Sequence, residues 1–393
     1  MESKSLQALK EKFRVLFPQQ GEPCIYFAPG RVNLIGEHID YNGGHVFPCA
    51  LDIGTFAAAS KRNDRTLRLF SMNMEHRGVI EASLDDLHYD KAYDWANYVL
   101  GVIKAFTDKG YRVDNGMDIV FYGNIPNASG LSSSASLEVL TGFVLKDLFG
   151  FDNINMIELA LIGQEAENKF IGVSCGIMDQ FAVAMGKEGH AVCLDTSTLD
   201  YNYAPLHLEG VKIVIINTNK KRGLNDSKYN ERCEECAQAV EALKKYEFLK
   251  NLCELTPEKF EEGKNFITDP TVRRRARHVV YENQRTIDAV QALKNKDLER
   301  FGELMVQSHE SLRDDYGVSG KELDTVVEAA LRQNGVIGAR MTGAGFGGCA
   351  VALVKEQDVA AFKENVAKEY EKNTGLQADF YVVEAGGGPC RLQ

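Results

Sequence analysis

A fold of mixed helices and strands, divided over two domains, is the class this sequence predicts, and three observations predict it. The chain has 393 residues, more than a single hydrophobic core ordinarily serves, so two domains are expected with ample chain for both. Strand-like apolar runs occur in both halves, at 117–125, 211–216 and 349–354. Between them lie helical patterns, at 137–148, 156–170 and 321–333. No repeat or proline-rich linker marks a boundary, and the seam is placed near 200–215, where a polar stretch leads into VKIVIINT. The expected domains are therefore 1–205 and 206–393.

The N-terminal MESKSLQALKEKFRVLF interleaves charged and apolar residues, so an amphipathic helix is expected and a signal peptide is not. No run approaches the roughly 18 apolar residues of a membrane span. A net charge of −11 disfavours nucleic acid or an anionic membrane as partner. The basic run RRRAR at 273–277 continues a helical pattern and is assigned to a solvated helix face. Nine cysteines, an odd number scattered along the chain, fit reduced thiols of the cytoplasm better than a disulfide framework. Cys233 and Cys236 form a CxxC pair, but without a second pair a zinc or redox role has little support.

Three segments carry chemistry. Residues 28–44, APGRVNLIGEHIDYNGG, crowd Arg31, Asn33, Glu37, His38 and Asp40 among glycines. That composition is too polar for a core strand and too rich in glycine for a helix. It suits a polyhydroxylated ligand whose hydroxyls need several fixed partners, with the arginine free to meet a phosphate; a solvated turn has the same composition. Residues 130–135, GLSSSA, stand where the strand at 117–125 gives way to a helix. Free N–H groups and the helix dipole converge there, which stabilises a phosphate without a lysine. Three serines alone also fit an ordinary helix N-cap. Residues 341–350, MTGAGFGGCA, space Gly343, Gly345 and Gly348 like a dinucleotide fingerprint. The context is wrong for one, because a helical pattern and a short turn precede the loop and a strand follows. Such a loop permits close approach of main chain to a ligand or to another loop.

Together, in this order, the three segments resemble the GHMP family of small-molecule kinases, and GRVNLIGEHIDY resembles its galactokinase branch in particular. CGIMDQ at 175–180, NTNKKRGLNDSKYNERC at 217–233 and RRRARHVVYENQR at 273–285 extend the resemblance over nearly the whole chain. It implies an α+β, two-domain GHMP-kinase fold with the active site in the interdomain cleft. It also implies transfer of the γ-phosphate of ATP to the 1-hydroxyl of galactose by a monomer dependent on Mg2+. By resemblance, Asp179 is the catalytic aspartate and Arg31 its cationic partner. Glu37, His38, Ile39, Asp40, Gly176 and Tyr229 meet the sugar. Ser71, Ala128, Ser129, Gly130, Leu131, Ser132, Ser133 and Ser134 meet ATP, and Ser134 with Glu167 holds the metal. Trp95, the one tryptophan, and Tyr98 look like positions near the adenosine, although a partly buried core residue describes Trp95 equally well. Ile39 stands where many relatives have threonine. The same scaffold serves N-acetylgalactosamine or another sugar if the pocket is wide enough. A galactose sensor without turnover is the reading of another class; such relatives lose phosphate-loop residues, whereas Ser134, Ala135, Asp179 and Arg31 are all present here.

Overall fold

The computed structural model describes residues 2–125, 131–220 and 225–393. In chain order its principal elements are α1 (Glu2–Leu16), β1 (Cys24–Asn33), β2 (His45–Val46), β3 (Pro48–Lys61), β4 (Thr66–Ser71), β5 (Ile80–Ser83), α2 (Ala96–Asp108), β6 (Met117–Gly123), α3 (Ser133–Phe149), α4 (Met156–Glu165), α5 (Met178–Ala184), β7 (His190–Asp195) and β8 (Tyr201–Pro205). There follow β9 (Val211–Asn217), α6 (Asn225–Leu243), α7 (Pro257–Gly263), α8 (Pro270–Lys294), α9 (Leu298–Ser311), α10 (Lys321–Leu331), β10 (Val336–Thr342), β11 (Cys349–Lys355), α11 (Val359–Thr374), β12 (Asp379–Val383) and β13 (Cys390–Arg391).

A six-stranded sheet in the order β13-β1-β3-β6-β4-β5 organises the first half; only its β4–β6 pairing is parallel. The alternation of strand side chains divides its two faces. Ile25, Phe56, Ala58, Phe70 and Val120 receive Leu9, Phe13 and Phe17, a stripe spaced by four that begins on α1. Tyr26, Ala57, Ala59, Ile119 and Phe121 face the opposite way, into the core shared with α2 to α5. On that face the Ser136 hydroxyl of α3 donates to the carbonyl of Ala28 at 3.0 Å and accepts from Oγ1 of Thr55 at 2.8 Å. These bonds pin the start of α3 over β1 and fix where the serine cluster lies.

The second half is built on the antiparallel sheet β10-β11-β9-β12. Its inner strands β9 and β11 are buried on both faces, which is why 211–216 and 349–354 read as continuous apolar runs. Val214, Ile216, Ala350 and Ala352 pack on α10 and α11. Ile213, Ile215, Val351 and Leu353 meet α8, α9 and the residues Val32, Leu34, Ile35 and Phe47 of the first half in one apolar cluster. The chain passes from the small sheet β2-β7-β8 to β9 across residues 206–210, and its last strand, β13, returns to pair with β1. No described helix is long and apolar enough to cross a membrane.

Two sequence expectations are corrected by these strands. Residues 28–33 are not a loop but the end of β1, with a register shift between Pro29 and Arg31; the bulge tolerates glycine and re-aims the arginine. A strand, β10, directly precedes the third glycine loop, which is therefore a hairpin connection between β10 and β11. Gly338 and a buried arginine at 340 break the apolar pattern that would have revealed it. No helix follows, so the exclusion of a dinucleotide fingerprint is unaffected. The basic run divides by face: Arg275 is buried and bonded to Glu235 and to the carbonyl of Asp315, while Arg274 and Arg277 are exposed.

Candidate active site

The ends of β1, α3 and α5 converge on a cleft of about 290 Å³ closed on the far side by α6 and the third glycine loop. At its centre Arg31 grips Asp179. The guanidinium donates from Nε to Oδ1 at 2.8 Å and from Nη2 to Oδ2 at 2.9 Å, a bidentate pair in which Arg31 is 3% and Asp179 31% exposed. Asp179 reaches the cleft as anticipated. Helix α4 runs into a π-helical turn, Ala166–Ile171, that ends at Gly172 with φ 87°, and the chain doubles back to place Asp179 in the first turn of α5. Π-helical turns recur at functional sites, and this one carries Glu167.

Ser132 settles how the serines act. It has left-handed backbone angles, φ 57° and ψ 51°, and makes no capping bond to α3; its hydroxyl donates to Oδ2 of Asp179 instead. A non-glycine residue in that conformation stores strain, which surrounding contacts must hold. The ordinary N-cap does not describe it. Ser133 and Ser134 form the first turn of α3 and line the cleft with Ser132. Leu131 turns its side chain into the core, and its carbonyl accepts the Arg31 N–H at 3.3 Å. Ala128, Ser129 and Gly130 lie outside the described residues.

Glu37, His38, Asp40, Gly176 and Tyr229 all line the same cleft. Glu37 is buried, and its Oε2 accepts from Nη2 of Arg340 and from N–H of Gly343, both at 3.0 Å. Burial raises its pKa against the opposing charges of Arg340 and Arg31. His38 has φ 63°, and both its ring nitrogens are engaged: Nε2 with the carbonyl of Ala344 at 3.1 Å and Nδ1 with the Tyr41 hydroxyl at 2.8 Å. Facing a carbonyl, Nε2 must carry the proton, so Nδ1 accepts from Tyr41. Burial pushes the imidazole down to about 3, which keeps it neutral. A sugar hydroxyl that bonds His38 must displace one of these partners. The Tyr229 ring packs against that of His38, centroids 5.4 Å apart and planes tilted by 40°. Ile39 departs from expectation: it is 0% exposed, belongs to the apolar core, and lines no part of the cleft. Of residues 37–40, Ile39 alone turns its side chain inward, into the core.

Asp40 accepts the N–H of Met178 at 3.4 Å, at the start of α5. Burial, then the charges of Asp179 and Glu37, push it up to about 7. Gly176 makes room for it, since a Cβ at 176 would lie 2.1 Å from Oδ2 of Asp40. On the expectation that Asp40 meets galactose, Gly176→Ala should displace the carboxylate and raise KM for that sugar at least about tenfold, with KM for ATP within about twofold, because misplacements on the order of 1 Å cost up to 10²-fold. Steady-state kinetics with each substrate varied checks it; equal rises in both constants would contradict it.

Glu167 receives Nε2 of Gln180 at 2.8 Å and lines the cleft together with Ser134, so the two residues expected to hold a metal meet there. The same amide donates to Glu138 at 2.8 Å. Burial and then the charge of Asp179 push Glu167 up to about 7, and burial with the charge of Glu167 raises Glu138 well above the carboxylate range. Sequence reasoning missed Glu138 and Gln180. Glu138 sits four residues after Ser134 on α3, hence on the same helix face, and that spacing was the available signal. Among the described residues no group of three or more His, Cys, Asp or Glu is arranged for a metal ion; a magnesium ion needs only one or two protein oxygens beside water and phosphate.

A second cavity, of about 210 Å³, adjoins the first through Tyr98, Ser133 and Ser134. Ser71 and Trp95 line it together with Phe121, whose ring meets the indole edge-on at 5.6 Å. All nine cysteines are free. Burial pushes Cys233 and Cys236 up to about 12 and about 11, so both are thiols and neither suits zinc or rapid exchange.

Comparison with known proteins accords with this geometry. Residues 11–61 match the galactokinase galactose-binding signature, 97–187 the GHMP kinase N-terminal domain and 289–372 the GHMP kinase C-terminal domain. The chain is 57% identical to a galactokinase of Clostridium acetobutylicum, over 98% of this chain and 99% of the relative. It is 55% identical to one of Fusobacterium nucleatum, over 99% and 100%. A crystal structure of Lactococcus lactis galactokinase complexed with galactose superposes with a TM-score of 0.96 at 48% identity, covering 99% of this chain and 100% of the other. The Methanococcus jannaschii mevalonate kinase shares the fold alone, with a TM-score of 0.65 at 22% identity. The chain belongs to the galactokinase family of GHMP kinases.

Proposed function

We propose that this chain transfers the γ-phosphate of ATP to the C1 hydroxyl of α-D-galactose, giving galactose 1-phosphate and ADP. The observation that carries the reading is the bidentate Arg31–Asp179 pair in a cavity walled by Glu37, Asp40 and Tyr229, which adjoins at Ser133 and Ser134 a second cavity walled by Ser71 and Trp95. Galactose occupies the first cavity and the adenosine the second, with the phosphates crossing between them at Ser133 and Ser134. The start of α3 stabilises their charge through its free N–H groups and dipole.

Asp179 orients the C1 hydroxyl and takes its proton late. An anomeric hydroxyl is acidified by the ring oxygen, and a loose phosphoryl-transfer transition state needs little deprotonation before attack. Arg31 adds charge stabilisation to the transferring group, and its fork keeps Asp179 in one orientation throughout. The donor set suits Mg2+: a hydroxyl and a carboxylate that line one cleft, in an acidic cluster that raises Glu167. Ser134 and Glu167 would hold the ion, which when bound neutralises charge on the ATP phosphates. On the same reading residues 1–205 and 206–393 are the two domains, with β13 returned to the first, and the nine free thiols support a cytoplasmic enzyme.

Incubation with MgATP and galactose is expected to give a product whose phosphorus resonance couples to the anomeric proton. Phosphate at C6, or no new ester, would overturn the assignment.

A further inference from the structure

Arg340 is fully buried in β10, where an arginine needs close partners to offset its desolvation. Its partners all belong to the first half of the chain. Nη1 donates to the carbonyl of Asn33 at 2.8 Å and Nη2 to Oε2 of Glu37 at 3.0 Å. The residues that follow continue the clamp: Thr342 Oγ1 donates to the Asn33 carbonyl at 3.1 Å, Gly343 N–H to Oε2 of Glu37 at 3.0 Å, and the Ala344 carbonyl accepts from His38. Helix α8 holds the main chain of Glu37, its N–H on Glu282 at 3.2 Å and its carbonyl on Nε2 of His278 at 3.1 Å. Backbone and carboxylate of this one residue are thus fixed by two separate elements of the second half. Both donors to the carboxylate take Oε2, and neither occupies Oε1.

We propose that Arg340 is a positioning residue for sugar recognition: with the N–H of Gly343 it holds Oε2 of Glu37 so that Oε1 meets a hydroxyl of the sugar. The inference rests on the reading that Glu37 faces galactose. It gives the third glycine motif a task on the sugar side of the cleft, where its positive-φ glycines, Gly343 with φ 81° and Gly345 with φ 79°, let the loop close on residues 33–38. A guanidinium suits the task because its planar fork spans two acceptors, the Asn33 carbonyl and Glu37; an ammonium at the same place is a single point.

The test compares wild type, Arg340→Lys, Arg340→Gln, Glu37→Gln and the double variant Arg340→Gln/Glu37→Gln. Each is checked for folding by circular dichroism and melting, then assayed for kcat, KM for galactose and KM for ATP. Arg340→Gln should raise KM for galactose about tenfold with KM for ATP within about twofold, and Arg340→Lys should fall between it and wild type. In the Glu37→Gln background the same replacement should add less than about twofold, the non-additivity of a residue that acts through another. Should Arg340→Gln fail to fold, Arg340→Lys with and without Glu37→Gln carries the same comparison. Equal rises in both KM values, effects that multiply, or sensitivity at Arg340 with none at Glu37 would overturn the proposal while leaving galactose turnover intact. A wild-type enzyme inert toward galactose would overturn it together with the reading beneath it.

Discussion

Replacing Asp179 with asparagine is expected to lower kcat about 10²- to 10⁴-fold, the range over which positioned acid–base groups contribute, with KM for ATP changed by less than about twofold. The carboxylate is the one cleft acid with two donors from Arg31 and one from Ser132. All three contacts orient it, and none delivers a proton to the substrate. Asparagine keeps an acceptor for Nε of Arg31 at Oδ1, so the fold should survive, but it cannot take the hydroxyl proton. Rapid-quench measurement of the first turnover checks it, because product release is then excluded. A variant within about tenfold of wild type in that step would remove Asp179 from the chemistry and leave it a mere anchor for Arg31.

Asp40→Asn should act in opposite directions on function and stability. A carboxylate that accepts from a sugar hydroxyl makes a charge-assisted bond, worth about 1.5–3 kcal/mol, so KM for galactose should rise by about one to two orders of magnitude. Stability follows from the raised pKa, about 7 against an ordinary 3.8. Between those values the folded chain keeps a proton that the unfolded chain releases. Asp40 therefore subtracts stability progressively as pH rises through that window, and above about 7 the subtraction is complete. Asparagine escapes it, and its Oδ1 can still accept the Met178 N–H. At pH 8 the unliganded variant should melt a few degrees above wild type, on the order of 2–5 °C, and the gap should close toward pH 5. A constant gap, or a less stable variant at pH 8, would show that the Asp40 charge is not strained in the free enzyme.

What the sequence disclosed and what it hid divide along burial. The serine cluster was legible because an apolar strand pattern ends and a helical one begins around it, yet only the backbone angles of Ser132 showed that its side chain does not cap the helix. The bend that carries Asp179 back to the cleft could be anticipated from Gly172 and Gly176, although the clearance that Gly176 leaves for Asp40 needed coordinates. Arg340, Glu138 and Gln180 went unread for a common reason. Polar residues in an apolar pattern look like a solvent face or a break, whereas these three are buried and bonded across elements distant in sequence, Gln180 to Glu138 and Arg340 to Glu37. Arg340 hid an entire strand in this way. Ile39 shows the converse: proximity in sequence to Glu37, His38 and Asp40 placed it in the sugar site, and the structure puts its side chain in the core.

The most direct test of the central claim is release of ADP by the purified protein with MgATP and, in turn, galactose, N-acetylgalactosamine, glucose, arabinose and mevalonate, with Asp179→Asn alongside. Turnover on galactose, far above the other acceptors and lost in the variant, is the predicted result; silence toward every acceptor despite calorimetric binding of galactose and ATP would contradict it and make the protein a sensor of the sugar.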